Sequence, residues 1–255
     1  MAADTSTQAA PLLAVDNVTL QYKTEQHLVT ATWRVGFEVY EGERFVVLGP
    51  SGCGKSTLLK AVAGFMAPVE GQIRLAGKPI DRPGSDRMMV FQEFDQLLPW
   101  KTVLGNVVYA LRVARRMSDG AARAEAARFV GMVGLERFTD AYPHQLSGGM
   151  KQRVAIARSL ALDPRMLLMD EPFASLDALT RRRMQEELLG IWEATRKTLL
   201  FVTHSIDEAV LLGDRILVLS PGPGRVRRIL DNPAVGRRET PEGQATVREV
   251  EALLS

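Results

Sequence analysis

Gly49-Pro50-Ser51-Gly52-Cys53-Gly54-Lys55-Ser56-Thr57 interleaves glycines and hydroxyls with one lysine. The spacing fits G-x-x-x-x-G-K-[ST], the pattern of a loop that cradles phosphate. Glycines let the backbone wrap closely, so that successive N–H groups point at phosphate oxygens, and a helix beginning there adds the positive end of its dipole. Lys55 has the reach for β- and γ-phosphates, and the Ser56 hydroxyl is an oxygen donor for Mg²⁺. Cys53 occupies a variable position of the pattern and reads as a small residue that fits. Its place beside Lys55 at a helix start also predicts a lowered thiol pKa. On that basis alkylation of Cys53 is expected to block nucleotide binding, with MgATP protecting.

Two further segments carry chemistry. Met166-Leu167-Leu168-Met169-Asp170-Glu171 is an apolar run ending in two carboxylates. In a nucleotide site Asp170 would hold Mg²⁺, and Glu171 would polarise the attacking water as general base, because phosphoryl transfer needs an in-line water held in place. Ser147-Gly148-Gly149 precedes a helical stretch carrying Met150, Val154 and Leu160. It presents a hydroxyl and bare N–H groups at a helix start, a second anion site. One nucleotide does not need two such sites, so Ser147 is expected to face the γ-phosphate of a nucleotide held by another copy.

Positioning these groups requires strands alternating with helices. Residues 1–11 are small and polar and read as a frayed tail. Val15, Val18, Leu20, Phe37 and Val39 are spaced as in short half-buried strands, and Arg44–Leu48 is an apolar strand running into the glycine loop. Leu58, Leu59, Val62 and Ala63 then share a helix face, closed by Gly64 and Pro68. From about 93 to 165 the pattern is helical, with Ala126, Phe129, Val130 and Val133 as an apolar stripe. Strand character returns at Met166–Met169, Leu199–Val202 and Ile216–Leu219, with a helix carrying Met184, Leu188, Ile191 and Trp192 between the first two. A turn, Ser220-Pro221-Gly222-Pro223-Gly224, follows. The reading is a mainly parallel α/β sheet interrupted by a helical insertion, with residues 12–230 as one domain and 231–255 as a short C-terminal extension of weak helical patterning.

The whole-chain quantities agree. The chain has 255 residues, 46% hydrophobic and 24% charged, which excludes wholesale disorder. Lys+Arg 32 against Asp+Glu 30 gives +2, so no global basic field draws it to nucleic acid. The Arg115-Arg116, Arg181-Arg182-Arg183 and Arg227-Arg228 runs read as solvated faces. One cysteine excludes an internal disulfide framework and fits a reducing compartment. No stretch approaches the roughly 18–20 apolar residues of a membrane span.

Leu146-Ser147-Gly148-Gly149-Met150 resembles the signature motif of ATP-binding-cassette (ABC) ATPases, and the other motifs occur in that family's order. Gln92 resembles the Q-loop glutamine, Ser175-Leu176-Asp177 the D-loop, and His204 the switch histidine. Tyr22 sits where the family stacks an aromatic on adenine, although an edge-strand aromatic packing locally would read the same. The resemblance implies a P-loop NTPase (RecA-like) core with an antiparallel β subdomain and an inserted α-helical subdomain. It implies ATP and Mg²⁺ as ligands, with Gln92 joining Ser56 and Asp170 at the metal, and Glu171, His204 and Gln92 as catalytic. Asp177 joins Tyr22, the loop residues and Ser147-Gly148-Gly149 at the nucleotide.

Leu97-Leu98-Pro99-Trp100 after the Q-loop, and the Ser220–Arg225 turn, resemble the nitrate/sulfonate/taurine-type importer ATPases. The resemblance implies a head-to-tail dimer around two MgATP, separate transmembrane permease subunits, and an extracytoplasmic solute-binding protein. It places the chain in the cytoplasm, peripheral on the inner face of the membrane. The little sequence beyond Leu230 argues against a large C-terminal regulatory domain. Phe94, Leu97, Leu98 and Trp100 are the expected docking surface, the alternative being that they tuck into the insertion itself. Two other functions stay open: a non-transport ABC ATPase of assembly or repair, which a coiled-coil insertion or second cassette would favour, and a P-loop module without turnover, which Glu171 and His204 argue against.

Overall fold

The computed structural model describes residues 10–23, 27–92, 96–174 and 176–254. Its frame is a six-stranded sheet in the order β10-β9-β3-β8-β7-β6, built from β3 (Arg44–Leu48), β6 (Arg87–Val90), β7 (Met166–Asp170), β8 (Thr198–Thr203), β9 (Arg215–Leu219) and β10 (Val226–Asp231). Neighbours are parallel except β10, which runs antiparallel along the edge beside β9. A second, antiparallel sheet, β2-β1-β4-β5, comprises β1 (Leu13–Lys23), β2 (Leu28–Val39), β4 (Glu70–Leu75) and β5 (Lys78–Pro79).

Strand alternation sends successive side chains to opposite faces, and here it divides the core in two. Phe45 and Val47 of β3, Leu200 and Val202 of β8, and Met166 and Leu168 of β7 join α1 (Lys55–Ala63) and the antiparallel sheet. Phe37 from that sheet stacks on Phe45 with centroids 5.0 Å apart. Val46 and Leu48, Leu199 and Phe201, and Leu167 and Met169 face the opposite cluster of helices. Both faces are covered, which is why these strands read as near-continuous apolar runs.

The helical insertion consists of α2 (Val103–Arg115), α3 (Asp119–Met132) and α4 (Gly148–Ala161), packed on one another. Each begins at a side-chain cap: Thr102 accepts from the Gly105 N–H, Ser118 from Ala121, and Ser147 from Met150. Ala122, Ala126, Phe129, Val130 and Val133 are all buried in its core, as their spacing predicts. Beyond it, α5 (Ala178–Thr195) and α6 (Ile206–Leu212) cover the same face of the sheet, and α7 (Pro241–Leu254) packs on α6 and β9. Residues 231–254 therefore fold onto the sheet: the Asn232 amide donates to the Val210 and Gly213 carbonyls at 2.7 Å, and Val250 is fully buried.

The turn just before the insertion's first helix is gripped by the Asn106 side chain. Asn106 is fully buried; its Oδ1 accepts from the Leu98 N–H at 2.8 Å, and its Nδ2 faces the Leu98, Lys101 and Thr102 carbonyls at 3.2, 3.1 and 3.0 Å. Turning the chain in this way drives Leu97 into the insertion core, 4% exposed, and leaves Trp100 68% exposed. The expectation that Leu97 docks a partner is therefore corrected: it is a core residue. Leu98 is half-buried, and Phe94 lies outside the described residues. Asn106→Ala strands the Leu98 N–H and should cost about 2–3 kcal/mol of stability, read as a lower urea midpoint; an unchanged midpoint would show that the turn holds without it.

Candidate functional site

Parallel pairing brings the chemistry to one edge. Leu48 of β3 pairs with Thr203 of β8, and Asp170 of β7 with Val202, so the glycine loop, the two carboxylates and His204 all leave from strand C-termini at the same side of the sheet. That edge is where open α/β sheets bind ligands.

Gly54 begins α1 at φ 94°, a left-handed conformation, and a Cβ there would lie 2.5 Å from the Ala31 carbonyl oxygen. Only glycine fits. Gly224, in the turn after β9, closes on the loop from the other side: its N–H donates to the Ala31 carbonyl at 2.9 Å, and a Cβ would lie 2.1 Å from the Cys53 carbonyl oxygen. The Ser220–Gly224 turn is thus a buttress for the phosphate loop, a role its sequence did not reveal.

Lys55 is 4% exposed, and its Nζ donates to the Gly49 and Pro50 carbonyls at 2.9 and 3.0 Å. The same Nζ is 3.6 Å from Glu171 Oε1. Ser56 Oγ donates to Asp170 Oδ1 at 2.7 Å. Burial pushes the Asp170 carboxyl above the usual range, and the Ser56 hydroxyl partly offsets this. A hydroxyl and a carboxylate side by side are the hard oxygen donors Mg²⁺ takes when substrate phosphates complete its shell. Among the described residues no cluster of three His, Cys, Asp or Glu could hold a metal unaided.

Glu171 has φ 43°, and its N–H donates to the Val202 carbonyl at 3.0 Å, extending the ladder one residue beyond β7. The left-handed backbone costs of order 1–3 kcal/mol and is the kind of strain that persists at functional sites. It aims the carboxylate between two groups: Oε1 toward Lys55, and Oε2 at 2.9 Å from His204 Nδ1. Lys55, Ser56, Asp170, Glu171 and His204 therefore form one connected constellation.

The remaining candidates divide. Gln92 is exposed just beyond β6. Tyr22 is 45% exposed near the end of β1, paired with Val29. Ser147 is exposed, with its hydroxyl capping α4; Gly149 is buried against Thr180 and Met184 of α5. Asp177 caps α5, accepting from the Leu179 and Thr180 N–H groups at 3.2 and 3.0 Å, which holds its carboxyl below the usual range. Ser175 lies outside the described residues. Arg181 departs from the solvated reading, since it donates to the Leu176 carbonyl at 2.9 Å.

An apolar groove of about 360 Å³ lies along the outer strand β6, lined by Phe65, Met88, Phe91, Leu98, Tyr109 and Val113 among others. Phe65, Tyr109 and Val113 are 55%, 47% and 62% exposed, so apolar surface from α1's end and α2 stands open to solvent.

The sequence model described as ABC transporter matches residues 33–174, more than half of the chain and all of the segment carrying the loop, Ser147 and the two carboxylates. The chain belongs to the ABC transporter family. It is 49% identical over 216 residues to the taurine import ATP-binding protein TauB of Rhizobium johnstonii, covering 84% of this chain and 82% of that one. It is also 49% identical over 214 residues to the bicarbonate transport ATP-binding protein CmpD of Synechococcus elongatus, covering 84% and 77%. A solved ATP-binding cassette, dimeric in a post-hydrolysis state with ADP and Pi, matches with TM-score 0.75 and 35% identity over 86% of this chain and 98% of that one. This ABC cassette is an ATPase of the transport-coupled type.

One expectation is overturned. Cys53 is fully buried, and burial raises its thiol pKa despite the opposing pull of Lys55. Its sulfur fills space against Gly49, where a Cβ would come within 2.8 Å of Sγ. The thiol is a packing group of the ABC cassette, not a reactive one. Native protein should therefore react with iodoacetamide roughly a hundredfold more slowly than urea-unfolded protein; rapid stoichiometric labelling of the native state would contradict the burial.

Proposed function

We propose that the chain is the ATP-hydrolysing subunit of an importer for a small anion or organic sulfonate, working on separate permease subunits at the cytoplasmic face of the membrane. The observation that carries the hydrolytic part is Glu171, held by a left-handed backbone between Lys55 at 3.6 Å and His204 at 2.9 Å. A carboxylate fixed at a strand end beside a phosphate loop is placed to accept a proton from water attacking the γ-phosphate. The imidazole steadies that carboxylate, and its other nitrogen would meet the γ-phosphate. Lys55 stabilises the charge on the transferred group. Ser56 and Asp170, with Gln92, would hold Mg²⁺, which when bound neutralises phosphate oxygens. Tyr22 would stack on the adenine.

Ser147, Gly148 and Gly149 start a helix in the insertion and not on the strand edge, which supports the reading that they serve the nucleotide of a second copy. The dimeric state of the ADP-bound cassette supports the same arrangement, and Asp177 would join Ser147, Gly148 and Gly149 at the nucleotide. The solute class rests on likeness to the taurine and bicarbonate proteins. The apolar groove at Phe65, Phe91, Leu98 and Tyr109, with Trp100 on the adjoining turn, suits an apolar helical segment of a permease. A solute-binding protein would deliver the cargo outside the membrane. No helix among the described residues is long and apolar enough to cross a membrane.

Glu171→Gln should keep MgATP affinity, lose at least roughly a hundredfold in turnover, and accumulate as an ATP-bound dimer on size-exclusion chromatography. Turnover near the wild-type rate would remove Glu171 from the base role. Ser147→Arg should bind nucleotide as a monomer yet fail to dimerise, and an ATP-dependent dimer of that variant would refute the trans arrangement. Phe65→Glu should bind nucleotide normally but lose co-purification with the permease. Transport assays with taurine and bicarbonate in the reassembled importer decide the cargo, and failure with every small anion and sulfonate would reject the solute class.

A further inference from the structure

His204 sits on the short turn between β8 and α6, with its side chain half exposed and its Nδ1 on Glu171. Little packs around such a ring, so its aim depends on the backbone that carries it. That backbone is bracketed by a buried polar cluster which the proposed mechanism does not use. Thr203, 1% exposed, accepts the Ser205 N–H at 3.0 Å, spanning His204, and donates from the same hydroxyl to Glu208 Oε2 at 2.6 Å. The Glu208 N–H in turn donates to Ser205 Oγ at 3.3 Å. The residues on both sides of His204 are thus tied to Glu208. The other carboxylate oxygen, Oε1, accepts from Gln185 Nε2 of α5 at 3.3 Å.

Glu208 is 5% exposed, and burial pushes its carboxyl up, while the Thr203 hydroxyl and the Arg181 guanidinium of α5 oppose that rise. A buried carboxylate is a poor source of stability compared with an apolar residue of similar size. The hydrogen bonds that join Thr203, Ser205, Glu208 and Gln185 do specify one local geometry. Here the geometry specified is the turn that carries the imidazole.

We infer that Glu208, acting through Thr203, is the positioning residue that sets His204 against Glu171 and ties the histidine turn to α5, the helix capped by Asp177. The inference rests on the role proposed for His204, and the test separates the two. His204→Ala should abolish most turnover. Thr203→Val keeps the branched shape but removes the hydroxyl; it should lower kcat roughly tenfold or more with KM for MgATP within about twofold. Thr203→Ser should restore kcat to within about threefold of wild type, because the hydroxyl returns. Should the valine variant not fold, Glu208→Asp and Glu208→Gln give the same reading. The aspartate draws the carboxylate away from Thr203 and should lose kcat about tenfold, whereas the glutamine keeps an oxygen in reach and should stay within about threefold.

If His204→Ala retains turnover, the role of His204 fails and the inference with it. If His204→Ala loses turnover while Thr203→Val, or Glu208→Asp in its place, keeps kcat within about twofold, the positioning role alone is overturned. A loss confined to KM, or one that neither serine nor glutamine restores, overturns it equally.

Discussion

The parallel register of β3, β8 and β7 is the constraint on which everything else in this molecule depends. Pairing Leu48 with Thr203 and Asp170 with Val202 leaves three chain segments to turn away from one edge within a few residues of each other. The extra ladder bond from the Glu171 N–H to the Val202 carbonyl holds Glu171 at that edge, where its backbone turns left-handed. Slipping β7 by one residue would exchange its buried faces and send Asp170 away from Ser56. The two-sided apolar core makes such a slip prohibitive, so hydrophobic packing on both faces fixes the placement of the charged groups.

Much of this was legible in residue order. The glycine loop between an apolar strand and an amphipathic helix, the carboxylates closing Met166–Met169, and His204 after Leu199–Val202 all lie where their spacing predicts. Strands buried on both faces announce themselves as apolar runs, and the insertion helices by their stripes and caps. β10 was less visible: Arg227 and Arg228 suggest a solvated loop and do face water, but on an antiparallel edge strand whose buried residue is Leu230. β6 was hidden for another reason, being only four residues long and merged with the segment leading to Gln92.

What the sequence could not disclose was competition between effects of opposite sign. At Cys53 a nearby lysine and a helix start argue for a thiolate, and burial argues against it; only the enclosure of the sulfur decides, and burial wins. At Leu97 an apolar residue beside a proline and a tryptophan reads equally as surface or core, and the four-way grip of Asn106 on the turn settles it as core. Arg181 in a run of three arginines reads as solvated, yet it sits on the Leu176 carbonyl at the start of α5. In each case the deciding contact is formed by how the chain folds, and the residue's own neighbours in sequence do not show it.

The phosphate loop shows why such distant partners matter to function. Its N–H groups can meet an anion without rearrangement only if the loop already holds its curve, because ordering it at the moment of binding would subtract from affinity. Two segments hold that curve from outside: the Ala31 carbonyl of the antiparallel sheet and the Gly224 turn that follows the parallel one. They also bond to each other, through the Gly224 N–H to Ala31 and the Trp33 N–H to the Gly224 carbonyl, both at 2.9 Å. The loop is therefore clamped between two sheets that are joined to one another beside it, and a shift of either sheet must act on the phosphate site. That ties the antiparallel sheet to the phosphate loop even though, Tyr22 apart, it contributes no side chain proposed to touch the nucleotide.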